Sequence, residues 1–390
     1  MDGGIMIKFG MDSKSFLDNY HTKNPKVFKN AIIDNKVTWR YINEMLQRSN
    51  IEKDYFQLSY NGIVDKSEYI ESHYQLGVLK HRFIRPILYQ YLKHGATLTA
   101  NRIINEPIIN DYARQISSFT GFPTICSAYI AFGEKSSFQP HWDSRDIFVL
   151  QTVGKKRWII YPPSFKNPLY MHKSLHMEKQ YPCPKEPIMD IVLDEGDILY
   201  LPRGYWHDPL PLGTETVHLT IAIYPPSGLD YVEWLFDKFS YIDEARQSLF
   251  SWQSDKTEIN NLADNIAIII RNKKYYDEFM QEFIANQRLE TDINLEIFGN
   301  AKINELPMNA KLRLNSNQYY DKSNKYIIAN GTKLTLDSKF KDILLYIAQY
   351  PQISVLNILD KFNNMERNKV MDTLYGLCIN DILEVIQSDE

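Results

Sequence analysis

His141 and Asp143 stand one residue apart, just ahead of the run Asp146-Ile-Phe-Val-Leu-Gln151. That run is apolar, β-branched and aromatic, and reads as a buried strand. In extended chain, side chains at i and i+2 point to the same face, so one imidazole and one carboxylate converge on a point. A third donor follows at His207, closing the segment Glu195-Gly-Asp-Ile-Leu-Tyr-Leu-Pro-Arg-Gly-Tyr-Trp-His207, which reads as turn, short strand, Pro/Gly turn and histidine. Two histidines and one carboxylate are the donor set of a facial-triad Fe(II) site, whose open face takes a chelating co-substrate and O2. A bare H-x-D pair is weak evidence, because such pairs arise by chance. The ordered series of pair, apolar strand, basic turn and G-D-x-L-Y-x-P-x-G-x-x-H is far more specific.

The segments His141-Trp-Asp143, Asp146–Gln151, Gly154-Lys-Lys-Arg-Trp158 and Gly196–His207 together resemble the JmjC-type 2-oxoglutarate oxygenases. The subgroup they are most similar to is the ribosomal oxygenases, arginyl and histidyl hydroxylases of ribosomal proteins. Thr216-Val-His-Leu-Thr-Ile-Ala-Ile-Tyr224 resembles the strand after the last ligand in that subgroup. At the level of motifs the resemblance covers about residues 124 to 226, and in layout it extends over the chain. It implies an α+β fold built on a double-stranded β-helix (jelly-roll, cupin/JmjC), with helical flanks, a helical middle module and a C-terminal winged helix.

The resemblance also implies the chemistry. Fe(II) would be held by His141, Asp143 and His207, with 2-oxoglutarate as co-substrate and O2 as oxidant, giving a dioxygenase that hydroxylates a side chain or demethylates a carbon on nitrogen. The distal carboxylate of 2-oxoglutarate needs a cation once it leaves water. In the basic turn Lys155-Lys-Arg157, Lys156 matches the family's anchoring base and shares a strand face with Trp158, although a charge run is usually a solvated turn. Tyr129 matches a family tyrosine inside the barrel, while His218 and Thr220 lie on the strand that lines the co-substrate pocket; for these three a packing role is the competing reading. Asp208, directly after His207, is a candidate to orient a ligand. His172 and His176 have the i,i+4 spacing of helical zinc sites but lack the glutamate of H-E-x-x-H and lie in a proline-rich insertion, so they are read as a decoy.

With 390 residues the chain has room for two or three domains. Forty-four basic against 48 acidic residues give a net charge of -4, which does not indicate a general nucleic-acid binder. Three widely spaced cysteines, Cys126, Cys183 and Cys378, point to a reducing compartment rather than a disulfide scaffold. The N-terminus lacks a signal-peptide core and no run reaches the length of a membrane span, so a soluble cytoplasmic protein is expected.

Three regions are expected: a JmjC/cupin-like catalytic domain over 1–226, a helical, dimerisation-like module over 227–305 and a winged-helix domain over 306–390. In the first, helices are expected at Ser13–Tyr20, Thr38–Gln47 and Pro107–Phe119, and Phe148–Gln151 and Arg157–Tyr161 are expected to form a hairpin. In the second, helices are expected at Leu229–Phe250 and Glu258–Leu289, and the resemblance implies a homodimer. In the third, an Asn-Gly turn predicts a hairpin over Tyr326–Leu336. Helices at Ser338–Gln349, Ser354–Phe362 and Met365–Cys378 and a strand at Asp381–Ile386 are expected to follow. Residues 332–390 hold six Lys/Arg against nine Asp/Glu, so no basic face for DNA exists and DNA binding is not expected.

The leading reading is therefore an oxygenase acting on a protein or peptide, a ribosomal protein first. Its rivals are a hydroxylase tailoring a ribosomally made peptide or a small molecule, and a non-catalytic JmjC-like binding protein. Two departures bear on the choice. The loop Gly133–Pro140 is less glycine-rich than the subgroup leads one to expect, and Ser127 stands where asparagine is expected. Both bear on the target residue rather than on the metal chemistry.

Overall fold

The structure, a computed structural model, describes residues 6–53, 55–134, 137–320, 324–335, 340–350 and 352–386. Two compact units form, Met1–Tyr224 and Pro225–Glu390. In the first, an antiparallel sheet of seven strands runs in the order Lys26–Phe28, Ile198–Leu201, Asp146–Val153, Thr216–Ile223, Thr124–Ala131, Thr97–Ile103 and Phe56–Ser59. A smaller sheet sets Lys156–Tyr161 between Met189–Leu193 and Trp206–Pro211. Strand alternation divides the large sheet's side chains between two cores. Ile147, Val149, Leu199 and Leu201 pack inward against Trp158, Ile160 and Leu193 of the smaller sheet. Phe148, Leu150, Tyr200, Leu219 and Ile221 pack outward, in one cluster with Phe16, Ile109, Tyr112 and Ile116. This is the expected α+β double-stranded β-helix.

The helices behind the large sheet begin and end where their caps dictate. Asp12 accepts from the Ser15 amide to start Ser13–Asn19, and Thr38 accepts from Tyr41 to start Trp39–Arg48. Pro107 opens Pro107–Thr120, and Gly121 closes it at φ 79°.

The expected hairpin between Phe148–Gln151 and Arg157–Tyr161 does not form, because the two strands belong to different sheets. At Gly154 φ is +64°, and a Cβ there would stand 2.1 Å from the Glu215 carbonyl oxygen, so only glycine fits the turn. The turn carries the chain across the barrel rather than back along its own sheet. A local turn signal is the same for both outcomes. A second hairpin, Ile70–Gln75 with Val78–Phe83, was not anticipated.

In the second unit, helices span Gly228–Phe239, Trp252–Ile270 and Lys273–Ala285. The two longer expected helices are therefore interrupted, the second where Asn272 caps a new start by accepting from Lys274. Beyond them Lys311–Leu314 pairs with Ile353–Ser354 and Leu383–Ile386. The Asn-Gly hairpin Tyr326–Ala329/Thr332–Thr335 turns through Asn330 at φ 41° and Gly331 at φ 86°. Helices Lys341–Gln349, Val355–Lys361 and Arg367–Ile379 share a core with Leu312, Leu314 and Val385. Leu336 and Ser338, included in the expected hairpin and helix, lie outside the described residues, as do Lys135 and Ser136 of the loop before His141. Among the described residues, no helix is long and apolar enough to cross a membrane.

Candidate metal centre

His141 and His207 are held opposite one another by a two-way backbone pair: the His141 amide donates to the His207 carbonyl at 3.2 Å, and the reverse bond is 2.8 Å. The Gly204 amide donates to the Asp143 carbonyl at 2.9 Å, tying the first ligand loop to the second. The ligand atoms of His141, Asp143 and His207 then all lie within 4.8 Å of one another. His207 Nε2 is 3.7 Å from Asp143 Oδ2, and two donors each about 2.1 Å from one ion stand at most about 4.2 Å apart.

Tautomers follow from the carbonyls beside the rings. His141 Nδ1 lies 2.9 Å from the Gln139 carbonyl and His207 Nδ1 lies 3.1 Å from that of Tyr205, so each Nδ1–H donates and each Nε2 lone pair is left for a metal. Burial, reinforced by His141, pushes the His207 imidazole down to about 4, and a neutral imidazole is the ligand form. His207 is 3% exposed and Asp143 40%, so the centre opens on the Asp143 side.

Asp146 sets the loops that carry these donors. It is fully buried, and its Oδ1 accepts from the Tyr200 hydroxyl at 3.0 Å and the Arg203 amide at 3.2 Å. The turn at Arg203 and Gly204 is thus clamped to the residue that opens the strand after Asp143. Sequence reading placed Asp146 only as the start of a strand; a carboxylate opening an otherwise apolar strand was the signal available.

Further in, the registers align a polar row on the inner face of the large sheet: Thr99 opposite Tyr129, Tyr129 opposite His218, and His218 opposite Gln151. The Tyr129 and His218 rings stack at 4.9 Å, and Trp158 meets His218 edge-on at 5.4 Å. Thr220 sits two residues along from His218, opposite Ser127 and Val149. Lys156 approaches from the smaller sheet, 3% exposed, its pKa pushed by burial down to about 8 against the opposing pull of Asp208. Burial and the Lys156 charge both hold His218 neutral. Burial, with Asp143 and Cys126 adding to it, raises the Tyr129 phenol, so it stays a donor.

The neighbours of Lys156 go elsewhere. Lys155 pairs with Asp194 at 2.8 Å, and Arg157 forks onto Asp190 at 2.8 and 2.5 Å. Of the basic turn, Lys156 alone is buried. Among the described residues, His218 Nδ1, Thr99 Oγ1 and Trp158 Nε1 are buried without a hydrogen-bond partner. A buried ammonium beside unsatisfied donors and acceptors costs free energy unless an anion arrives. The chemistry of this chamber therefore fits a carboxylate at the far end and a chelated metal at the near end.

Two expectations stand apart from the centre. Strand alternation puts Asp208 on the opposite face of the sheet from His207, and the carbonyl of Tyr205, not Asp208, meets the His207 ring. His172 packs edge-on to Phe165 at 5.0 Å with its Nδ1 accepting from the Leu169 amide, and His176 is exposed. Among the described residues, His141, Asp143 and His207 form the one group able to hold a metal. Thr99 was missed in the sequence because nothing in a strand thirty residues upstream marks it as a neighbour of Tyr129.

The barrel and its triad define the class: a cupin-type fold with the donor set of a 2-oxoglutarate oxygenase. Residues 100–231 match the family model of the JmjC domain. The match covers about a third of the chain, and the fold as a whole is similar to that of a solved ribosomal oxygenase. Structures of the Escherichia coli ribosomal oxygenase YcfD, including one in complex with cobalt and 2-oxoglutarate, superpose over 98% of this chain and 100% of that one, at TM-score 0.57 and 17% identity. In sequence the chain is 28% identical over 222 residues to the bifunctional lysine-specific demethylase and histidyl-hydroxylase NO66 of Drosophila persimilis, and 26% over 219 residues to that of Aedes aegypti. These matches cover 55% and 54% of this chain, but 30% and 33% of the relatives, so the chain spans about a third of their length.

Proposed function

We propose that this protein is an Fe(II)- and 2-oxoglutarate-dependent dioxygenase that hydroxylates a side chain of a protein or peptide, with a ribosomal protein as the first candidate. The observation that carries the reading is the convergence of His141, Asp143 and His207 with both Nε2 atoms turned from the carbonyls that hold the rings, next to a buried Lys156 that makes no salt bridge among the described residues. The bound metal and co-substrate supply the oxidising chemistry. The protein does the rest. His141, Asp143 and His207 hold the ion on one face; Lys156, with Tyr129, His218 and Thr220, receives the far carboxylate of 2-oxoglutarate. Trp158 and the buried barrel wall exclude water.

In this reading residues 1–226 are the catalytic domain, 227–305 a dimerisation module and 306–390 a winged helix that does not bind DNA. The winged helix is supported by the three-stranded sheet, the Asn-Gly hairpin and three short helices. A homodimer is supported by the large aromatic side chains left exposed on the middle segment, Phe236, Tyr241, Phe250 and Trp252. The protein works in the cytoplasm, where three free thiols stay reduced.

The test is mass spectrometry of ribosomal proteins and peptides incubated with the purified protein, Fe(II), 2-oxoglutarate and ascorbate. A gain of one oxygen atom on one species, absent with His141→Ala, is expected. If the protein, shown to bind Fe(II) and 2-oxoglutarate, forms neither an oxygenated product nor succinate, the non-catalytic reading replaces this one. Oxygenation of a small molecule alone moves the assignment to a tailoring enzyme.

A further inference from the structure

The metal centre opens on the Asp143 side, and Arg145 is two residues further on, within about 7.6 Å along the backbone. Its guanidinium lies between two aromatic rings, 4.8 Å from that of Tyr224 and 5.9 Å from that of Tyr170. Tyr224 follows the barrel strand whose last residue, Ile223, pairs with Asp146, and Tyr170 belongs to the proline-rich insertion at 162–187. Arg145 is only partly exposed, yet among the described residues no carboxylate lies within ion-pair distance; its one hydrogen bond, at 3.4 Å, goes to the neighbouring Ser144 carbonyl. Stacking fixes the fork without neutralising it.

The insertion that supplies Tyr170 continues the charge. Lys166, Lys173, Lys179 and Lys185 are all exposed and make no salt bridge among the described residues, against two carboxylates, Glu178 and Glu186. The insertion packs directly beside the ligand loops: Phe165 lies 6.1 Å from Trp142, and its carbonyl stands 2.6 Å from where a Gly204 Cβ would be. Exposed Met171 and Leu175 add apolar surface. On the loop ahead of His141, Glu134 instead lies against Gly213, beyond the far end of the Trp206–Pro211 strand. In a chain of net charge -4, the insertion beside the ligand loops is thus distinctly basic.

We propose that Arg145 and the insertion's lysines form the substrate-docking wall, and that the polypeptide segment they accept is acidic, with an Asp or Glu side chain on the Arg145 fork. The proposal rests on the oxygenase reading for the identity of the cleft. A polypeptide is favoured over RNA because one aromatic-held, planar cation next to apolar side chains suits a carboxylate within a peptide. An extended phosphate backbone would call for a run of such stacking rings.

The test is fluorescence anisotropy on the full-length protein loaded with Co(II) and 2-oxoglutarate, with labelled Gly/Ser dodecapeptides carrying Glu, Lys or neither. The Glu peptide is expected to bind about tenfold more tightly than the Lys peptide, with the difference shrinking at high salt. In Arg145→Gln, and separately in Lys166→Glu/Lys173→Glu, the preference should fall below about threefold. The lysine sites are exposed, so that variant folds, which its thermal midpoint verifies. Equal or reversed binding, no measurable binding, or a preference unchanged in both variants overturns the proposal. Tighter binding of single-stranded RNA than of the Glu peptide overturns it in favour of a nucleic-acid surface. The same anisotropy series on the unloaded protein separates the two readings: failure to bind Co(II) and 2-oxoglutarate with the charge preference intact strikes the oxygenase reading alone.

Discussion

At the residue scale the strongest constraint is Lys156. A lysine whose folded pKa is about 8 binds its proton less well than in the unfolded chain, where the ordinary value is 10.5. Between those values the unfolded state carries more protons, so stability from this group rises with pH from about 8 to 10.5, and below 8 the charged form costs the full penalty. A co-substrate carboxylate removes that penalty by pairing with the charge. Lys156→Met is therefore expected to raise stability in the ligand-free protein by about 1–3 kcal/mol, read from the urea midpoint, while weakening 2-oxoglutarate binding by about 100-fold. In the wild type, calorimetry should show 2-oxoglutarate affinity falling as pH rises through about 8. A variant both less stable and unimpaired in binding would remove Lys156 from the anchoring role. Its role was legible through the family resemblance, with Trp158 two residues on sharing its face; alternation alone does not say whether Lys156 or the pair Lys155 and Arg157 turns inward. That Asp194 and Asp190 take up the other two was not legible.

At the element scale, the crossover at Gly154 decides which strands oppose each other. Were the chain to turn back on itself there, Lys156 and Trp158 would lie beside Gln151 in one sheet instead of facing His218 across the barrel. Gly154→Ala forces a Cβ onto the Glu215 carbonyl in a left-handed conformation. Denaturant unfolding should show a loss of about 1–3 kcal/mol; an unchanged midpoint would mean that the turn relaxes without holding the two sheets apart. Helix starts and the Asn-Gly hairpin were legible because caps and turn residues act over three or four positions. The crossover was not, because its partners, Met189–Leu193 and Trp206–Pro211, lie tens of residues away.

For the whole molecule, the proposed dimer rests on the exposed aromatic side chains of the middle segment. Phe236 and Phe250 are 72% and 86% exposed, a poor fate for phenylalanine in water. Light scattering during size exclusion should give a dimer for the wild type and a monomer for Phe236→Glu/Phe250→Glu, with Co(II) binding retained in both. A monomeric wild type, or a double variant that stays dimeric, would discard this interface.

The amino-acid order by itself determined the class of chemistry. His141, Asp143 and His207 sit in segments whose strand and turn signals are local, while the long-range His141–His207 backbone pair and the Asp146 clamp bring them together. It also determined most helix limits. Tertiary structure alone decided which of the remaining polar residues share a chamber. Thr99, Tyr129 and His218 come together through strand register, Lys156 through the crossover, and Arg145 meets Tyr170 through the packing of the insertion. Asp208 illustrates the difference: adjacent to a ligand in sequence, it faces the other side of the sheet, because neighbours on a strand alternate.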